Sequence, residues 1–161
     1  MSIERDIALL RSVATFDMLN SEALRLLAAD ARTETLAKGD ILFRMGEIAD
    51  CAYVVAAGRI RLVDDRKADA PRPLKEVGPG TLIGETALIV PTPRPVTAVA
   101  DDEVQVLRIS RTAFVAMLER FPDATAKMRR AIAKRLEDTI RALDTVRLKL
   151  EDQRARQRRR R

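Results

Sequence analysis

Apolar residues along the chain change their spacing twice. Between residues 3 and 31 they recur at helical intervals, as Ile3, Ile7 and Leu10 and then, beyond Asn20-Ser21, as Leu24, Leu27 and Ala31. This predicts helices broken near Asn20, the second starting at Ser21-Glu22. From Thr33 to Ser110 the apolar runs are short and are punctuated by Gly39, Gly46, Gly58, Gly78, Gly80 and Gly84, the mark of many short strands in a closed β-sandwich or barrel. Tyr53–Val55 and Ile60–Val63 flank Ala56-Ala57-Gly58-Arg59, which reads as a hairpin. Val96–Val99 and Val104–Ile109 read as the last strand pair. The polar segment 64–72, ending in Pro71 and Pro73, reads as an exposed loop.

Helical spacing returns at Arg111 with Ala113, Phe114, Met117 and Leu118, and again after Phe121-Pro122-Asp123, where proline suits the first turn of a helix. With Leu136 at position a, the series Ile132, Leu136, Thr139, Leu143, Val146 and Leu150 follows a heptad. It predicts a parallel helix pair between two copies of the chain, because a helix this long outreaches a small β-barrel. Met128, Ala131, Ile132 and Ile140 widen the apolar face and supply the alternative, a helix lying on its own domain. The plan is α+β. Helices occupy 1–32, an antiparallel β-barrel 33–110, further helices 111–152, and a basic disordered tail 153–161.

Composition narrows the possibilities. A chain of 161 residues, 47% hydrophobic, holds one core. Its net charge of +6 equals the contribution of Arg154, Arg156, Arg158, Arg159, Arg160 and Arg161, so the body is neutral and the basicity belongs to the tail. That tail suits nucleic acid or an anionic membrane electrostatically, but no aromatic residue interleaves the arginines, and a solvated end is the favoured reading. Cys51 is the single cysteine, which excludes an internal disulfide or a cysteine metal cluster. No secretory signal or membrane-length apolar run is visible, so a cytoplasmic protein is expected. The absence of histidine removes the commonest general base and metal ligand, and with them a cupin-like metalloenzyme. Neither catalytic residues, nor a metal, nor a cofactor is expected.

The chemistry concentrates in Gly80-Thr81-Leu82-Ile83-Gly84-Glu85-Thr86-Ala87-Leu88 and Pro91-Thr92-Pro93-Arg94. Glycine allows close backbone approach, amides at the start of a helical turn favour an anion, and arginine offers a permanently charged fork. An acid beside them suits the hydroxyls of a sugar. Together they describe a sugar-phosphate ligand.

The segment GETALIVPTPRPVT resembles the phosphate-binding cassette (here 80–97) of cyclic-nucleotide-binding domains. Lys38-Gly39-Asp40-Ile41-Leu42-Phe43, Gly46, Asp50, Tyr53-Val54-Val55, Gly58, Ile60 and Leu62 resemble the family's first strands and glycine turns, so the likeness spans about residues 15–150. It implies a jelly roll, or double-stranded β-helix, of the catabolite-activator sensor type, read as standing alone without a helix-turn-helix. It further implies that Glu85 binds the ribose 2′-hydroxyl, that Arg94 pairs with the exocyclic phosphate oxygens, and that amides near Gly84 and Ala87 assist. Ile83, Leu62 and Val96 would line the apolar part of the pocket, with Thr86, Pro95 and Thr97 completing the cassette. Met128, Arg129, Ile132 and Arg135 are the candidates for a lid over the base. Val96, two residues after Arg94, has no hydroxyl, which points to cAMP over cGMP. Thr86 and Pro95 depart from the family pattern, and Pro95 lacks the N–H that the family directs at phosphate. The resemblance implies a regulatory sensor that passes nucleotide binding through its C-terminal helix to a partner protein. The departures supply the alternative, a nucleotide-independent scaffold for dimerisation.

Overall fold

The computed structural model describes residues 3–66 and 69–159; for residues 124, 132, 135, 136, 139, 140, 142–147 and 159 it describes the helical backbone and not the side chain. Helices α1 (Ile3–Ser12) and α2 (Ser21–Asp30) are separated by a 3-10 turn, Ala14–Phe16. Asn20 caps α2, its side chain accepting from the Ala23 N–H at 2.8 Å. Ten strands follow: β1 (Arg32–Leu36), β2 (Ile41–Phe43), β3 (Ile48–Ala49), β4 (Cys51–Ala57), β5 (Ile60–Asp64), β6 (Arg72–Val77), β7 (Leu82–Ile83), β8 (Thr92–Pro93), β9 (Thr97–Ala100) and β10 (Val104–Ser110). A second 3-10 turn, Glu85–Leu88, lies between β7 and β8, and α3 (Arg111–Arg120) and α4 (Pro122–Arg159) complete the chain.

The strands form two four-stranded sheets, ordered β1-β10-β4-β7 and β2-β9-β5-β6, with a small β3-β8 ribbon. Every pairing is antiparallel. The α+β jelly roll is as expected, but the sheets do not close into a barrel: hydrogen bonding stays within each sheet and the chain crosses between sheets at corners. For the same reason two expected strand pairs are absent. β4 pairs with β10 and β7, whereas β5 pairs with β6 and β9, so Ala57–Ile60 is a sheet-to-sheet corner and not a hairpin. Likewise β9 and β10 lie in different sheets. The expected 64–72 loop does join a paired hairpin, β5–β6.

The period-two alternation of β4 and β10 divides the core. Cys51, Tyr53 and Val55, with Val104 and Val106, pack between the sheets against Phe43, Ile60 and Ala98. Ala52 and Val54, with Leu107 and Ile109, face the helices and meet Leu10, Phe16, Leu24, Phe114, Met117 and Met128. Ser110 caps α3 by accepting from the Ala113 N–H at 3.1 Å. The Thr125 hydroxyl stitches α3 to α4 by donating to the carbonyls of Leu118 and Phe121.

Residues 153–159 continue α4, where a disordered tail was expected. Gln, Arg and Ala are good helix formers, positive charge at a helix C-terminus meets the negative end of the dipole, and Arg156 pairs with Asp152 one turn back at 3.2 Å. Among the described residues no helix is long and apolar enough to cross a membrane.

The two corners share one contact. Gly58 has φ +83°, and a Cβ there would run into the Glu103 carbonyl and the Val104 side chain. Gly39 has φ +90° but open space around it. Gly58→Ala is therefore expected to cost about 2–4 kcal/mol, combining left-handed strain with overpacking, and Gly39→Ala only about 1–2 kcal/mol. Urea unfolding of the two variants checks the difference.

Candidate functional site

Gly84 ends β7 in the left-handed region, φ +79°, and turns the chain into the Glu85–Leu88 helical turn. Ten residues on, Arg94 leaves the β3–β8 ribbon, its backbone N–H donating to Glu47 at 2.7 Å and its carbonyl accepting from Gly46 at 2.8 Å. These bonds aim the side chain inward, where it is only 5% exposed. The guanidinium carbon lies 4.3 Å from the ring centroid of Phe43 and 5.7 Å from that of Tyr53, two rings 24° from parallel. Nη2 donates to the Cys51 carbonyl at 2.8 Å and lies 3.4 Å from its sulfur. Among the described residues, Nη1 is buried and finds no hydrogen-bond partner.

A Cβ at position 84 would collide with that same Nη1, so only glycine leaves the space in front of it. Arg94 is thus a buried permanent cation with one arm open beside the start of a helical turn. Cation–π contact with Phe43 offsets part of its desolvation. Burial, with the Cys51 thiol beside it, pushes the Tyr53 phenol above its ordinary range, so the ring keeps a neutral hydroxyl.

The other anticipated residues divide between site and scaffold. Glu85 and Thr86 are half-buried at the turn. Ala87, expected among the phosphate-facing amides, spends its N–H on the Gly84 carbonyl at 3.1 Å. Thr97 has its hydroxyl between two protein groups, accepting from the Met45 N–H at 2.8 Å and donating to Asp65 at 2.7 Å. Ile83 belongs to the inter-sheet core, Leu62 and Val96 pack against it, and Pro95 is exposed. Of the lid candidates, Met128 is fully buried in the helical core and Arg129 is exposed. The side chains of Ile132 and Arg135 lie outside the described residues, as do those of Leu136, Thr139, Leu143 and Val146.

Sequence reasoning missed Arg111. Its Nε donates to the Ala87 carbonyl at 2.6 Å, its Nη2 to the Ala49 carbonyl, and its backbone N–H to Asp50 at 2.9 Å. One side chain therefore ties the cassette turn and β3 to the first turn of α3. Its one sequence signal is its place directly after the helix-capping Ser110. Phe43 and Tyr53, which surround Arg94 together with Cys51, were legible as strand residues and not as its cradle, and Cys51 was read only as the single cysteine.

A helix-flanked jelly roll with a buried arginine set against a left-handed glycine at the start of a helical turn suggests a class, and comparison with known proteins agrees with it. The model of the cyclic nucleotide-binding domain matches residues 33–121, more than half of the chain. The lysophospholipase NTE1 of Chaetomium globosum is 32% identical over 102 residues, covering 63% of this chain and 7% of that protein. The cyclic AMP receptor protein of Thermus thermophilus is 29% identical over 109 residues, covering 68% of this chain and 50% of the receptor. A solved cyclic nucleotide-binding-like protein from Brucella abortus is 44% identical, with TM-score 0.65, covering 71% of this chain and 97% of that one. The chain belongs to the cyclic nucleotide-binding domain family. It spans half or less of the length of these two curated relatives.

An uncompensated buried cation is a stability liability. Arg94→Met, which keeps the side-chain bulk and removes the charge, is expected to raise the unfolding free energy of the ligand-free protein by about 1–2 kcal/mol. Equilibrium unfolding in urea measures it; a loss of stability would show that the contacts to Cys51 and Phe43 outweigh the desolvation.

Proposed function

We propose that the chain binds a 3′,5′-cyclic nucleotide, cAMP in preference to cGMP, and acts as a regulatory sensor and not as an enzyme. The observation that carries this reading is the open arm of buried Arg94 opposite Gly84. A phosphate there would accept from Nη1 and neutralise a charge that the fold otherwise holds uncompensated. Glu85, first in the turn, is the acceptor for the ribose 2′-hydroxyl. The curated relative named for cyclic AMP supports the choice of ligand, as does Val96, which offers no hydroxyl to guanine.

Transmission follows the contacts of the cassette turn. Leu88 packs in the helical core with Phe114 and Met128, and Ala87 is held by Arg111, so a shift of the turn on ligand binding is felt by α3 and α4. Helix α4, 38 residues and about 57 Å long, carries that change outward to a partner protein. Its Leu150, a heptad a position, is exposed, as an unpaired helix seam would be, and α4 pairs two copies of the chain into a homodimer.

Pro95 favours the second reading, a nucleotide-independent scaffold, because it removes a backbone donor next to Arg94. Calorimetric titration with cAMP and cGMP separates the two. The expected outcome is micromolar or tighter binding of cAMP, weakened at least about a hundredfold by Arg94→Ala. No heat with either ligand from a folded protein would establish the scaffold. Pro95→Ala, which restores the N–H, is expected to tighten cAMP binding about tenfold in the same titration.

A further inference from the structure

We infer that Thr15, in the N-terminal 3-10 turn, is a positioning residue for ribose recognition: its hydroxyl holds the Glu85 carboxylate in the orientation that accepts the 2′-hydroxyl. The inference rests on the nucleotide reading and extends it to a residue far from the cassette in sequence. The Thr15 hydroxyl donates to Glu85 Oε2 at 3.4 Å across a separation of 70 residues. Thr15 is only 7% exposed, and Glu85 is half-buried.

The backbone beneath Thr15 is fixed. Val13 donates to the Leu10 carbonyl at 3.1 Å, Phe16 to Val13 at 2.9 Å and Leu19 to Phe16 at 3.1 Å. Phe16 has no exposed surface and packs its ring against Phe114, centroids 6.3 Å apart. Val13 and Phe16 share the helical core with Leu88 at the other end of the cassette turn. The donor therefore stands on a rigid support, whereas glutamate has three rotatable side-chain bonds. An acceptor that must meet one sugar hydroxyl gains from having its second oxygen anchored before the ligand arrives. The N-terminal segment is thereby part of the sugar site, although none of its residues belongs to the cassette.

The test pairs a protein change with a ligand change. The full chain and its Thr15→Val, Thr15→Ser and Thr15→Ala variants are titrated with whichever of cAMP and cGMP binds the parent more tightly, and with the 2′-deoxy form of that nucleotide. Thr15→Val is expected to weaken binding of the ribose form roughly three- to tenfold while changing the 2′-deoxy form less than about twofold, so that the preference for the 2′-hydroxyl shrinks. Thr15→Ser, which keeps the hydroxyl, is expected to retain the parental preference. Thr15→Ala repeats the loss should valine disturb folding. Equal weakening of both nucleotides would show a structural role only and overturn the inference, as would no change in either. A parent chain that binds neither nucleotide would overturn the nucleotide reading itself, and the role of Thr15 with it, before any variant is compared.

Discussion

Strands β4 and β10 are buried on both faces, and the organisation of the molecule depends on that constraint. A strand sends alternate side chains to opposite sides, so adjacent residues serve different cores. Cys51 and Tyr53 face the space between the sheets, where a carbonyl and a ring meet the Arg94 guanidinium. Ala52 and Val54 face the helices and share a cluster with Leu88 of the cassette turn. One strand thereby registers the surroundings of Arg94 on one side and the helical layer on the other. A slip of one residue would exchange the two sets and lose both at once.

Within that frame Arg94 is held where no described carboxylate pairs with it, stacked on Phe43 with one nitrogen left over. A fold optimised only for stability has no use for this arrangement, whereas a receptor for an anion does. Gly84 keeps the opening clear, and Arg111 binds the turn that frames it to α3. The turn is thus tied to β7 on the sheet side and to α3 on the helix side, the arrangement on which the proposed sensor reading relies.

Much of this was legible in the sequence. Helix starts at Ser21 and Arg111, the glycine turns and the cassette from Gly84 to Arg94 all carry local signals, because capping, positive φ and close approach each restrict residue type. What stayed hidden was non-local. Strand pairing was misread at Gly58 because a corner and a hairpin use the same glycine, and only the register of β9 and β10 tells them apart. Thr15 and Arg111 act through partners 70 and 24 residues away, so nothing adjacent to them marks their role. Arginines 154–159 looked like a solvated tail because like charge in a block suggests disorder, yet their helix propensity and the Asp152 pairing continue α4.

The shared corner has an evolutionary consequence. The chain passes from sheet to sheet at Gly58-Arg59 and again at Asp101–Glu103, and the two passages touch: Asp101 donates to the Arg59 carbonyl at 2.9 Å, and Arg61 pairs with Asp101 at 2.9 Å. Residues in contact do not contribute independently to stability. The two crossings, more than forty residues apart in the chain, therefore form one epistatic unit: a lengthened or re-angled turn at either is tolerated only with a matching change at the other. Sequence drift in homologous chains should accordingly appear there as paired replacements.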